Sequence, residues 1–172
     1  LAKELGKLVA KLTEGVTPGT KINIATSGAG MENKKFLSTA VMVGMLTGYT
    51  KNGLNLINAP SLAKEAGIEV SQLHEGQSEV PTVSVTISQG KSNSHSVRGT
   101  VRADELPYLQ KIDDACFGQA GVLLDNNVQI FQCQDCTTNL SAIISQLIST
   151  GANIMNVATA SGKNVWVAVR TA

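Results

Sequence analysis

Between residues 82 and 103 the side chains change character at almost every step. Val83, Val85 and Ile87 alternate with Thr82, Ser84 and Thr86, and Val97, Gly99 and Val101 alternate with Arg98, Thr100 and Arg102. Successive side chains of a pleated strand point to opposite faces. The stretch therefore reads as a β-hairpin with one apolar face and one solvent face, and its QGKSNS turn (89–94) holds the Gly, Asn and Ser that tight turns favour. A sheet that is apolar on one side has to bury that side under a second layer.

The segments before the hairpin supply helices for that layer. In LAKELGKLVAKLTE (1–14), Leu1, Leu5, Leu8, Val9 and Leu12 recur at helical spacing with lysines opposite, and Gly15 and Pro18-Gly19 stop the helix. KINIAT (21–26) alternates Ile22 and Ile24 with polar neighbours, as a half-buried strand does. A second helix carries Leu37, Ala40, Val41, Gly44 and Met45 and is stopped by Gly48 or Gly53. A third helix begins at Pro60, which suits a first turn because it lacks the N–H that would be orphaned there. Its inner face is Leu62, Ala63 and Ala66, with Gly67 at the left-handed position after it and Ile68 packing back. Strands follow at 68–73 and, beyond the hairpin, near 109–112.

From about residue 126 the order becomes β-α-β-β. Val128 to Cys133 reads as a strand, and Leu140, Ile143, Ile144, Leu147 and Ile148 form an amphipathic helix closed by Gly151. Strands at 152–159 and 165–169 are joined by a turn at 161–164. A ferredoxin-like unit is β-α-β-β-α-β, so a final helix and strand are missing from this reading. The chain also begins at Leu1 inside an apolar-periodic segment and ends just after a strand; both ends read as cut. The expected fold class is α+β: an α/β domain with a mixed sheet over 1–125, then an incomplete βαββ unit over 126–172.

Composition removes several functions. Aromatic residues are 3% of the chain, too few for the stacking platforms of single-strand nucleic-acid binders, and a net charge of +1 spread along the sequence leaves no basic stripe. No partnership with nucleic acid is expected. No apolar run is long enough to span a bilayer, and no membrane contact is expected either. Three cysteines, Cys116, Cys133 and Cys136, do not make a disulfide framework, which points to a reducing, cytoplasmic setting.

The chemically suggestive motifs are each incomplete. Ser27-Gly28-Ala29-Gly30-Met31 lies between a strand and a helix, but position 33 is Asn and no Gly-Lys-Ser/Thr triplet follows. Cys133 and Cys136 form one C-x-x-C pair where a structural zinc site needs four ligands, and His74 and His95 belong to other elements. Asp113 and Asp114 are adjacent, so on a strand they would face opposite sides and could not serve one substrate; a solvated position or a turn is expected for them. No G-x-S-x-G elbow occurs. No catalytic residue, bound cofactor or metal is expected in these residues.

LSTAVMVGML (37–46), NLINAPSLAKEAGIEV (55–70) and VRGTV (97–101) resemble the regulatory region of the D-3-phosphoglycerate dehydrogenases, the NAD-dependent enzymes that oxidise 3-phosphoglycerate at the start of serine synthesis. The resemblance implies that 1–125 is their intervening, allosteric substrate-binding domain and that 126–172 is a truncated ACT domain. It places the NAD-binding and catalytic segments before Leu1. It also implies self-association through the ACT-like unit and a small anionic effector.

In relatives the intervening domain's anion site uses a Lys and a downstream Arg; Lys111 matches the Lys, Leu123 stands where the Arg would be, and Arg98 and Arg102 are the nearby cations. The serine site of the ACT unit matches Asn153 in Gly151-Ala152-Asn153-Ile154. Its His and first Asn read Cys133 and Asp135, and its Pro-Gly reads Thr137-Thr138. The effector-binding candidates are therefore Lys111, Arg98, Arg102, Asp135 and Asn153. The alternative reading is the sensor region of an L-serine dehydratase.

Overall fold

The computed structural model describes residues 1–32, 34–50 and 53–172, with the backbone alone at 136 and 137. Helix α1 (Ala2–Leu12) packs on α2 (Lys35–Leu46) along a face made of small residues. The expected leucine stripe is only partly the buried one: Leu5 and Val9 are fully enclosed, while Leu1, Leu8 and Leu12 are half-buried, and Ala2, Gly6 and Ala10 share the interior. The cause is close approach of the backbones. A Cβ at Gly6 would overlap the Val41 carbonyl oxygen, and one at Gly44 would overlap the Lys3 carbonyl oxygen.

Strand β1 (Lys21–Ser27) runs parallel to β2 (Glu69–His74), and the crossover between them holds α2 and the short α3 (Ala59–Glu65). The C-terminus of α3 follows its sequence signature. Gly67 takes φ +70°, its N–H bonds the Lys64 carbonyl (3.0 Å), and Ile68 N–H bonds the Ala63 carbonyl (2.9 Å), which satisfies two carbonyls that the helix leaves open. Strands β3 (Thr82–Gln89) and β4 (Asn93–Val101) form the hairpin, followed by β5 (Pro107–Ile112), β6 (Ala115–Cys116) and β7 (Val122–Leu123). The sheet order is β2-β1-β3-β4-β5-β6, with β7 also pairing β5. Ile22, Ile24, Val83, Val85, Ile87, Val97, Leu109 and Ile112 are buried beneath α1 and α2.

Two hairpin positions depart from strict alternation. Val101 lies at the strand end and is 46% exposed, whereas Thr100 is buried and donates from Oγ1 to the Pro81 carbonyl at 2.7 Å. A register shift between Arg98 and Gly99 leaves Gln110 without a partner on β4, a bulge that bends and twists the pair.

The last 45 residues build a second sheet from β8 (Val128–Cys133), β9 (Ile154–Ser161) and β10 (Val165–Thr171), antiparallel in the order β8-β10-β9. Helix α4 (Cys136–Ser149) covers one face through Leu147 against Cys133, Val167 and Val169. The other face joins the first core through Ala160, Trp166 and Ala168. The molecule is thus α+β, with a mixed sheet and a separate three-stranded antiparallel sheet.

Candidate anion site

Arg98 on β4 and Lys111 on β5 are cross-strand partners. Because Val97 and Gly99 face the core, both cations project from the sheet face turned away from α1 and α2. That face is a field of short hydroxyls: Ser27 with Thr82 (2.6 Å), Thr86 donating to Ser96 (3.1 Å) and Ser88 with Ser94 (3.2 Å). Arg98 Nε donates to Ser84 Oγ at 2.9 Å, which fixes the guanidinium. Among the described residues neither Arg98 nor Lys111 makes an ion pair with a carboxylate. Like charges directly opposite on a sheet are destabilising, so a pair without a counter-ion is suited to taking an anion from solution.

Arg102 does not join this pair. It lies beyond β4, where its guanidinium stacks 4.4 Å from the Tyr108 ring centroid and donates to the Gln119 carbonyl at 2.5 Å. Tyr108 Oη in turn donates to Asp104 (2.8 Å). The Leu106 N–H and then the Tyr108 hydroxyl hold the Asp104 carboxyl below its ordinary range. The Arg102 side chain is thus committed to the 102–108 turn.

The two remaining candidates stand at opposite ends of α4. Asp135 acts at the helix start: it accepts from Thr138 N–H (3.2 Å), while its own N–H donates to Asn139 Oδ1 (3.0 Å). This reciprocal arrangement caps a helix. Asn153 follows the other end, and its backbone carbonyl accepts the N–H of Ala172 at 2.8 Å. Fourteen residues of helix separate them, roughly 20 Å at 1.5 Å per residue, so one chain does not bring Asp135 and Asn153 together. The side chains of Cys136 and Thr137 lie outside the described residues, as does Asn33. Among the described residues no three of His, Cys, Asp and Glu are grouped to hold a metal.

The glycine-rich loop after β1 is buried at Gly28 and exposed at Ala29 and Gly30. Thr26 is 1% exposed and donates from Oγ1 to the Met31 carbonyl (3.2 Å), with His74 Nδ1 at 3.1 Å and Glu32 3.8 Å from the other ring nitrogen. Hydroxyl, imidazole and carboxylate are neighbours, yet the hydroxyl is buried away from any substrate. Gly28 (φ +95°) lies against Pro81 so closely that a Cβ would clash with the proline backbone. Asp113 and Asp114 occupy a turn, not a strand, and each is bonded elsewhere: Asp113 to His95 and Ser96, Asp114 to the Lys163 N–H. The sequence groups Lys111 with Arg98 or Arg102 without choosing between them; the register, shifted by the bulge at Gln110, sets Arg98 directly opposite Lys111.

A family model described as the D-3-phosphoglycerate dehydrogenase intervening domain matches residues 1–113. The chain is 33% identical over 123 residues to a D-3-phosphoglycerate dehydrogenase of Rattus norvegicus, covering 68% of this chain and 22% of that protein. It is 41% identical over 76 residues to the proteins of the same description from Pan troglodytes and Homo sapiens, covering 43% of this chain and 14% of each. The chain therefore spans less than a quarter of the length of these relatives.

Proposed function

The chain belongs to the D-3-phosphoglycerate dehydrogenase intervening-domain family, and from that premise we propose that it is an anion-sensing and assembly region of an NAD-dependent enzyme that oxidises 3-phosphoglycerate toward serine in the cytoplasm. The observation that carries the sensing role is the cross-strand pair of Arg98 and Lys111, held without a carboxylate partner among the described residues and braced by Ser84. Its ligand is a small anion bearing phosphate or carboxylate oxygens, which accept charge-assisted hydrogen bonds from both cations.

We assign hydride transfer and NAD to a part of the enzyme outside these residues. Supporting this, the loop at 28–31 does not fit a dinucleotide: a pyrophosphate needs open backbone amides at a helix start. Here the Gly28 N–H is bonded to the Gly76 carbonyl and the Met31 N–H to the Gly28 carbonyl, and α2 begins only at Lys35.

Calorimetry with inorganic phosphate, citrate and 3-phosphoglycerate tests the sensing role. At least one should give saturable heat, and Lys111→Gln should weaken it roughly tenfold, as loss of a charged hydrogen bond does. Absence of heat from all three would refute it.

Assembly is assigned to the βαββ unit over 126–172, read as an ACT-like domain. Residues 136–162 contain no charged side chain. Ile148, Met155 and Val157 are exposed on α4 and the edge strand β9, which lacks the charges that usually guard sheet edges. A self-associating surface of this kind predicts a dimer in sedimentation, and a monomer at every concentration tested would overturn the assignment.

A further inference from the structure

Two residues past Lys111 the chain enters a turn that grips both sheets. Asp113, at φ +52°, accepts the Ser96 N–H on one carboxylate oxygen (2.8 Å) and meets His95 Nδ1 on the other (2.9 Å). Its own N–H returns to the Ser96 carbonyl at 2.7 Å. His95 presents its ring edge-to-face to Trp166 of β10, with centroids 6.4 Å apart and planes at 85°. Asp114 reaches the other way: both carboxylate oxygens accept the Lys163 N–H, at 2.9 and 3.2 Å, in the turn between β9 and β10. Gly162 in that turn lies so close that a Cβ would overlap the Asp114 carboxylate.

We infer that the turn between β5 and β6 is the lever that carries anion occupancy at Arg98 and Lys111 into the three-stranded sheet; this rests on the anion-site reading above. Asp113 bonds to Ser96, two residues from Arg98, and is itself two residues from Lys111. The bulge at Gln110 separates the cation pair from the Gly99–Leu109 pair, and on the other side the buried Val97–Ile112 pair links the cations to the turn. Without a ligand the two cations repel across the ladder. An anion between them draws them together, which changes the local twist at the bulge and moves the turn that follows. The turn cannot shift alone, because Asp113 is tied through His95 to Trp166 and Asp114 is tied to the Lys163 amide. A ligand shifts an equilibrium only through differential affinity for two arrangements; here the arrangement with the cations closer is the one the anion favours.

Trp166 is the single tryptophan of the chain and is buried at this joint, so its emission reads the joint alone. Inorganic phosphate is titrated into the chain and followed in parallel by calorimetry and by Trp166 fluorescence. The expected result is an emission change that saturates with the heat. In Asp114→Asn the heat should persist while the amplitude of the emission change falls by half or more. Asp113→Asn, which keeps a residue tolerant of positive φ, should weaken phosphate binding roughly fivefold or more if the sites are coupled. Heat without an emission change in the unaltered chain overturns the lever and leaves the anion site standing. Neither heat nor emission change removes the anion site and the lever with it. An unaltered emission response in Asp114→Asn, with its circular dichroism intact, also counts against the lever.

Discussion

Gly44→Ala is expected to destabilise the chain by about 2–3 kcal/mol in urea unfolding, even though alanine is the better helix former by about 1 kcal/mol. The gain in propensity is overridden by the crossing of α1 on α2. A methyl group at Gly44 would fall on the Lys3 carbonyl and against the Lys7 amide nitrogen, both backbone atoms of a helix that has no side chain to move aside. The two helices would have to separate along their length. That separation would loosen Leu5, Val9, Val41 and Met45, which together cover the mixed sheet. A loss smaller than about 0.5 kcal/mol, the ordinary range for a surface substitution, would show that the helices do not approach this closely.

Trp166→Ala should be more costly, about 3–5 kcal/mol, because it empties the largest buried side chain of the chain. The site lies between two sheets and cannot collapse without breaking the bonds of Asp114 to Lys163 and of Asp113 to His95. Trp166→Phe should cost far less. It keeps most of the ring, and it removes an indole N–H that is buried with no partner among the described residues; an unpaired buried donor carries a desolvation penalty. Equal losses in the two variants, measured by denaturant unfolding followed by circular dichroism, would contradict the buried placement.

The ligand-binding candidates divide according to how local their determinants are. Asp135 was singled out only as the match to the first Asn of the serine site; its bonds to Thr138 and Asn139 at the start of α4 are those of a helix cap. Arg98 and Lys111 were visible as nearby cations, but their facing each other was not, since one unpartnered residue at Gln110 decides which β5 side chain lies opposite Arg98. Arg102 looked equivalent to Arg98 by alternation; the end of β4 at Val101 turns it onto Tyr108 instead. The two-residue strands β6 and β7 carry too few positions for any period to register.

By itself the sequence determined the kinds of elements and the inward faces of the strands. Periods of two and 3.6, the glycine after α3 and the turn residues of the hairpin act through neighbours along the chain, and local backbone sterics suffice to read them. Only the tertiary structure decided that α1 buries Gly6 and Ala10 in preference to Leu8 and Leu12, that two cations face each other, and that Trp166 ties the second sheet to the first. Each of these depends on residues far apart in sequence meeting at a given depth and register. That is a matter of packing volume and strand pairing, which no local pattern of apolar residues encodes.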